Sequence, residues 1–192
     1  MKRLIPFFFA LSLLLAGCSQ NKQTISAGKT SKDVKENTDL LLSCYQTLSE
    51  MKKERIYVAL EEKTDEEGNA IKGSRRLVSY EKESGERSEI TSPVLENALR
   101  RFDLAIILFQ TADHGRECVI FSYTKENENE KVQNGFYYSP DSLPFAWWGR
   151  QGDLIQEGNR FLQLDKKGNG AYYTTPIIRS FYYFEKYGEL LA

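Results

Sequence analysis

Histidine and cysteine are scarce in this chain, and no charge of one sign predominates. Its 192 residues include one histidine, three cysteines, 26 basic residues and 27 acidic residues. The lack of a basic excess argues against nucleic-acid binding, because affinity for phosphates depends on clustered Lys and Arg. One histidine excludes a histidine-rich metal site, and so few cysteines cannot complete a structural zinc site without carboxylates. We therefore expect no nucleic-acid partner, no metal ion and no cofactor.

Catalytic motifs are also missing. The sequence lacks Gly-x-Gly-x-x-Gly, Gly-x-Ser-x-Gly and His-Glu-x-x-His, which mark dinucleotide sites, serine hydrolases and zinc proteases. Any Ser-His-Asp or Cys-His mechanism must use His114, and we interpret this residue as a polar helix end beside Asp113. Carboxylates in predicted turns are favoured there by solvation; they are Asp141, Asp153, Glu157 and Asp165. We predict no catalytic residue and no enzyme.

The first 17 residues are typical of a segment that directs export. Lys2 and Arg3 precede an apolar run over residues 4–16. As a helix this run spans only about 20 Å, too short for a hydrocarbon core of about 30 Å. We therefore predict a signal peptide at residues 1–17, removed after export.

The run ends in Leu15-Ala16-Gly17-Cys18, which resembles the lipobox of bacterial lipoproteins. The resemblance covers residues 1–18 only. It implies cleavage before Cys18 and attachment of diacylglycerol to the Cys18 sulfur, so that membrane lipid is the first expected partner. Several acyl chains give stable anchoring where one chain is marginal. The expected location is the outer membrane in a Gram-negative cell and the outer face of the cell membrane in a Gram-positive cell.

The remaining chain divides into a tether and one domain. Residues 18–35 are polar and predict a flexible, lipidated tether. Residues 36–192 predict a single α+β domain, with two helices packed on a curved antiparallel β-sheet. Small exported domains of the cystatin or NTF2 type offer an analogy of layout only.

Periodicity locates the two helices and most strands. Apolar residues at helical spacing over residues 34–51 predict the first helix. The second begins with Ser92 as N-cap and Pro93 at the first helical position, continues through residue 109 and stops at Asp113-His114-Gly115. Strands are predicted at residues 55–62, 75–83, 118–124, 132–139, 171–175 and 179–187, with a further pair around Gly158-Asn159. Cys44 and Cys118 are compatible with a disulfide or with two buried thiols.

Aromatic residues supply the candidate binding site. Tyr137 and Tyr138 precede a proline-stiffened loop that ends in Trp147 and Trp148. Neighbouring side chains of an extended chain point in opposite directions, so one tryptophan could be exposed while the other enters the core. An exposed platform of these four residues could stack on a sugar or anchor a protein. The alternative is that both tryptophans cap the hydrophobic core.

Taken together, the sequence predicts a membrane-anchored cell-envelope lipoprotein with a non-catalytic domain that binds a small ligand or a protein. A second hypothesis is a structural or assembly lipoprotein that docks a larger envelope complex. A hydrolase that uses His114 or a carboxylate pair is the third.

Overall fold

The structure, a computed structural model, describes residues 26–123, 132–147, 154–165 and 169–188. Within these ranges the chain forms three α-helices and ten β-strands. The helices are α1 (Ala27–Glu36), α2 (Thr38–Glu50) and α3 (Pro93–Arg101). The strands are β1 (Arg55–Thr64), β2 (Ala70–Glu81), β3 (Arg87–Glu89), β4 (Ile106–Thr111), β5 (Glu117–Ser122), β6 (Val132–Tyr138), β7 (Ile155–Glu157), β8 (Arg160–Leu164), β9 (Gly170–Ile178) and β10 (Phe181–Gly188). The predicted α+β class is confirmed, with three described helices instead of two.

All of the described strands join one antiparallel sheet in the order β3-β2-β1-β4-β5-β6-β10-β9-β8-β7. Most neighbours are consecutive hairpin strands. Two pairings are not: β1 lies beside β4, and β6 lies beside β10. These two non-local pairings bring distant parts of the sequence together in the middle of the sheet.

The first helix begins earlier than predicted, and it is interrupted. The Ser26 hydroxyl accepts a hydrogen bond from the Lys29 amide and caps α1, a stretch assigned to the tether by its polar composition. Thr30 and Val34 are fully buried, so packing stabilises a helix whose sequence shows little apolar periodicity. The predicted boundary at residue 35 is therefore wrong. The helical stripe over residues 34–51 also breaks at Asn37, which separates α1 from α2.

The second helix ends sooner than predicted. Ser92 and Pro93 start α3 as expected, but the helix stops at Arg101, and Asp103 reverses the chain with a φ of 51°. Residues 106–111 then form β4, whose backbone bonds to β1 on one side and β5 on the other. Hydrogen bonding to two strands overrides a periodicity that suits a helix equally well. The helical assignment of residues 104–109 was therefore wrong.

The segment Asp113-His114-Gly115 does not end a helix. It forms the turn of the β4–β5 hairpin, where the Ala112 amide donates to the Arg116 carbonyl at 2.6 Å. His114 is exposed and has a φ of 65°. Each strand predicted from the sequence, including the pair on either side of Gly158-Asn159, overlaps a strand of the structure, whereas β3 was not predicted.

The sheet buries apolar residues on both faces. One face, which we call the helix face, packs against all three helices through a core that includes Val58, Ile107, Phe121 and Phe136. The opposite face, which we call the groove face, carries a second cluster. Its members are Cys118, Tyr137, Phe145, Tyr172, Tyr182 and Phe184.

The cysteines lie in different cores, which settles their state. Cys44 on α2 belongs to the helix face and Cys118 on β5 to the groove face, so the sheet separates them. Both thiols are free and buried. Burial raises the pKa of each thiol to about 12, so both are protonated and unreactive at neutral pH.

Gly135 allows the two cores to approach each other across β6. A Cβ at this position would lie 2.2 Å from the Phe121 carbonyl oxygen and 2.9 Å from the Phe184 ring. No side chain fits there without displacing the backbone of β5. A glycine inside a strand commonly marks such a close approach.

We expect Gly135→Ala to lower the free energy of unfolding by about 1–3 kcal/mol, because overpacking displaces backbone that cannot relax freely. Gly28→Ala is the matched control: space around Gly28 in α1 is open, so alanine there should stabilise the helix by about 0.5–1 kcal/mol. Urea unfolding of the two variants and the wild type measures both effects. Equal stability of G135A and the wild type would contradict the close contact.

Candidate functional site

A groove on the groove face is the candidate site. It lies where β1, β4, β5, β6 and β10 adjoin the loop before Trp147. The space within it that a water molecule can occupy is about 50 Å³, which is less than the 300–1,000 Å³ typical of enclosed small-molecule sites, so the site is a shallow groove that is open on one side. The apolar and aromatic side chains that line it are Tyr57, Ile106, Leu108, Ile120, Trp147 and Phe184. The polar side chains are Arg55, Gln110, Ser122 and Gln133.

The apolar floor follows from the alternation of β4 and β5. Ile107 and Phe109 face the helices, so Ile106 and Leu108 must point to the opposite face. Ile120 of β5 pairs with Leu108 and shares that face. All three side chains of this floor are only half-buried, which is unusual for isoleucine and leucine in the middle of a sheet.

Trp147 closes one end of the groove. Its ring lies 5.8 Å from the Tyr172 ring and 6.0 Å from the Phe184 ring, centroid to centroid. Its backbone amide donates to the Gln163 side chain at 2.8 Å, and the Lys186 ammonium lies 4.5 Å from the ring centroid. Contacts from three strands therefore fix the orientation of this ring.

Residues 139–147, which we call the cover loop, pack over the remainder of the groove face. The Tyr182 hydroxyl donates to the Ser142 carbonyl at 2.6 Å, and the Phe145 amide donates to the Tyr137 hydroxyl at 3.0 Å. These bonds place Phe145 inside the second core. Because Trp147 is the last residue of the cover loop, these contacts also help to fix its position.

Arg116 holds the cover loop by three kinds of contact. Its Nε donates to Asp141 Oδ2 at 2.5 Å and its Nη2 to the Leu143 carbonyl at 3.1 Å. Its guanidinium also lies 4.0 Å from the centroid of the Phe145 ring. The ion pair with Arg116 holds the pKa of Asp141 far below its usual range. The loop is therefore tied to the start of β5 by charge as well as by packing.

At the other end of the groove lies Arg55, the first residue of β1. Its Nη2 donates to Gln110 Oε1 at 3.1 Å, and its guanidinium lies 5.8 Å from the centroid of the Tyr57 ring. Its Nε is buried and has no hydrogen-bond partner. Arg55 is the only charged side chain in the described lining of the groove.

The predicted platform is divided by the sheet. Tyr137 is 1% exposed and belongs to the second core, so it cannot contact a ligand from solvent. Tyr138 points to the helix face, where its ring lies near those of Tyr45 and Phe181. Trp147 does line the groove, whereas Trp148 lies outside the described residues.

The other predicted site residue, Cys18, also lies outside the described ranges. Four residues that line the groove were not predicted from the sequence: Arg55, Ile106, Leu108 and Ile120. Period-two alternation over residues 106–110 was the available signal, and the helical interpretation of that stretch obscured it.

The lining of the groove offers apolar surface and hydrogen-bonding groups. Its described lining contains neither histidine nor carboxylate, and His114 is exposed on the β4–β5 turn. Nowhere in the described ranges do three His, Cys, Asp or Glu side chains come close enough to hold a metal ion. Helices long and apolar enough to cross a membrane are likewise missing from the part of the chain that the structure describes.

Comparison with protein-family models, curated proteins and solved structures found no match.

The pH dependence of stability tests the tie between Arg116 and the cover loop. Because the pKa of Asp141 is lowered by folding, its ion pair stabilises the fold at neutral pH, and this contribution is lost as the pH falls below about 4. We expect Asp141→Asn to be less stable than the wild type at pH 7, and the difference should shrink on acidification.

Urea unfolding of both proteins across the acidic range measures this difference. Glu157→Gln is the control: it removes an exposed ion pair with Arg160, which should contribute almost nothing. A difference between D141N and the wild type that does not change with pH would show that the charge of Asp141 has no part in it.

Proposed function

We propose that this protein is a lipid-anchored, non-catalytic binding protein of the bacterial cell envelope, and that the groove holds a small ligand. The observation that carries the proposal is an apolar floor of half-buried Ile106, Leu108 and Ile120 between Arg55 and Trp147. Exposing such side chains costs free energy that a bound apolar group recovers, at about 25 cal/mol per Å² of buried surface.

The fixed geometry of the groove supports binding of a small molecule. Trp147 and Phe184 are held by ring contacts and Arg55 by Gln110, so little side-chain entropy is lost when a ligand binds. The predicted layout, with helices packed on one face of a curved antiparallel sheet, is similar to that of small exported binding domains of the cystatin or NTF2 type, which is an analogy of layout only.

The anchor is supported by sequence. The Leu-Ala-Gly-Cys sequence at residues 15–18 follows a short apolar run with a basic start, and this combination resembles a lipoprotein signal. An envelope location also agrees with a net charge near zero, which does not favour nucleic acid.

A second candidate function, docking to a larger envelope complex, has its own observation. Ile155 on the edge strand β7 and Leu164 on β8 are each 56% exposed. Ile155 pairs with Leu162 of β8, and Leu164 lies two residues further along the same strand. Ile155 and Leu164 therefore lie on the same face of the sheet. Two exposed aliphatic residues near a sheet edge are the kind of contact that a protein partner covers.

Blocking the groove tests the small-ligand proposal. Leu108→Trp should fill the floor and remove at least nine-tenths of any molecule that co-purifies with the full-length chain, because the ligand loses its contact surface. Native mass spectrometry of the membrane-extracted protein, with extraction of the bound molecule, gives the amount per chain.

Ile155→Trp is the matched control, since it adds the same side chain at an exposed position outside the groove. It should leave the bound amount unchanged. A wild-type chain without a bound molecule, or an L108W chain that binds as much as the wild type, contradicts the proposal. Loss of a crosslinked envelope partner in I155W alone would favour docking instead.

The anchor is tested separately at Cys18. Cys18→Ala should abolish incorporation of labelled fatty acid and release the protein from the membrane fraction, because the acceptor sulfur is gone. Ser19→Ala changes the next residue and should retain both the label and the membrane association. Undiminished membrane association of C18A would overturn the lipid anchor without affecting the groove.

A further inference from the structure

Among the arginines of the groove face in the described ranges, Arg55 is the one without a carboxylate partner. It lies at the start of β1 and pairs with Gln110 of β4 in the sheet register. The Gln110 amide oxygen accepts from one guanidinium nitrogen, yet the buried Nε has no acceptor among the described residues. A buried charged donor without a partner is unfavourable, because it has lost hydrogen bonds to water that nothing in the protein replaces.

Other arginines on the same face have carboxylate partners. Arg76 lies 3.7 Å from Glu89, Arg87 forms an ion pair with Glu61, and Arg116 binds Asp141. Arg55 forms no ion pair within the described ranges, and a neutral amide is its hydrogen-bond acceptor. Its positive charge is therefore available to an anion from outside the chain.

The apolar floor begins directly beside this charge. Tyr57, Leu108 and Ile120 occupy the next row on the same face, two residues along each strand from Arg55, Gln110 and Cys118. Two strand residues rise about 7 Å, so a ligand with its anionic group at Arg55 would lie with its next few atoms on Leu108 and Ile120. Trp147 and Phe184 line the far side.

We propose that the groove binds an amphipathic carboxylate of the fatty-acid type, with its carboxylate on the Arg55 guanidinium and its hydrocarbon chain on Leu108 and Ile120. The inference rests on the proposed ligand-binding function and names its ligand class. A carboxylate suits this position because guanidinium donors match its two oxygens in a planar arrangement. The described lining contributes no competing negative charge.

The test uses photoreactive analogues in membranes that contain the full chain. One analogue is a fatty acid with a diazirine in its hydrocarbon chain, another is the matching fatty alcohol, and a third is phosphatidylglycerol with the same acyl chain. Peptide mass spectrometry identifies labelling of the segments that carry Leu108 and Ile120. We expect the acid to reach half-saturation at a concentration about tenfold lower than the alcohol does. One charged hydrogen bond changes an affinity by about this factor.

Arg55→Gln should raise the half-saturating concentration of the acid about tenfold and leave that of the alcohol unchanged. Arg160→Gln, which removes an exposed arginine paired with Glu157, should change neither. Arg55→Lys retains the charge but not the planar donors, so the acid should label this variant more weakly than the wild type and more strongly than R55Q. If R55Q does not fold, the acid-to-alcohol comparison on the wild type decides alone.

The outcomes test separately whether the groove binds a ligand and whether that ligand is a carboxylate. Equal labelling by acid and alcohol overturns the carboxylate assignment, while the groove remains a binding site. Stronger labelling by phosphatidylglycerol than by the acid also overturns it and assigns the site to a phospholipid headgroup. If none of the three labels the groove, the proposed function fails together with the inference.

Discussion

A β-sheet has two faces, and the helices of this protein cover only one of them. The central strands β4 and β5 carry apolar residues on both sides, so the face without helices must exclude water by other means. Aromatic side chains and the cover loop do so around Tyr137 and Phe184. Over Ile106, Leu108 and Ile120 that coverage stops, which leaves the groove. Its position therefore follows from the limited extent of the second core.

The ion pair between Arg116 and Asp141 contributes to the second core mainly by positioning the cover loop. Arg116 joins the start of β5 to the cover loop through Asp141, Leu143 and Phe145, and the same loop delivers Trp147 to the end of the groove. Asp141 itself is partly exposed, so the Coulomb attraction is screened. The larger contribution of Arg116 is to geometry, because its guanidinium contacts Asp141, Leu143 and Phe145 at once and so fixes the path of the cover loop.

Local signals in the sequence were sufficient for part of the fold. Ser92 and Pro93 located the start of α3, and Gly158-Asn159 located the turn between β7 and β8. The strand β4 could not be assigned, because apolar residues every third or fourth position continue from α3 into it and only pairing with β1 and β5 decides between helix and strand. The candidate site was likewise predictable only where a local signal existed. Trp147 was predicted from the aromatic residues around its loop. Arg55 was not, because it meets the groove only through the non-local pairing of β1 with β4.

The early start of α1 limits how far the domain can travel from a lipid on Cys18. Only eight peptide units separate Cys18 from the cap residue Ser26, and even a fully extended chain of that length reaches about 28 Å. A tether extending to residue 35 would have reached about twice as far. With the proposed anchor, the start of α1 therefore stays closer to the lipidated sulfur than the thickness of the hydrocarbon core, about 30 Å. A partner that binds the domain would then have to approach the membrane surface to meet it, whether it is a small amphiphile or a large protein.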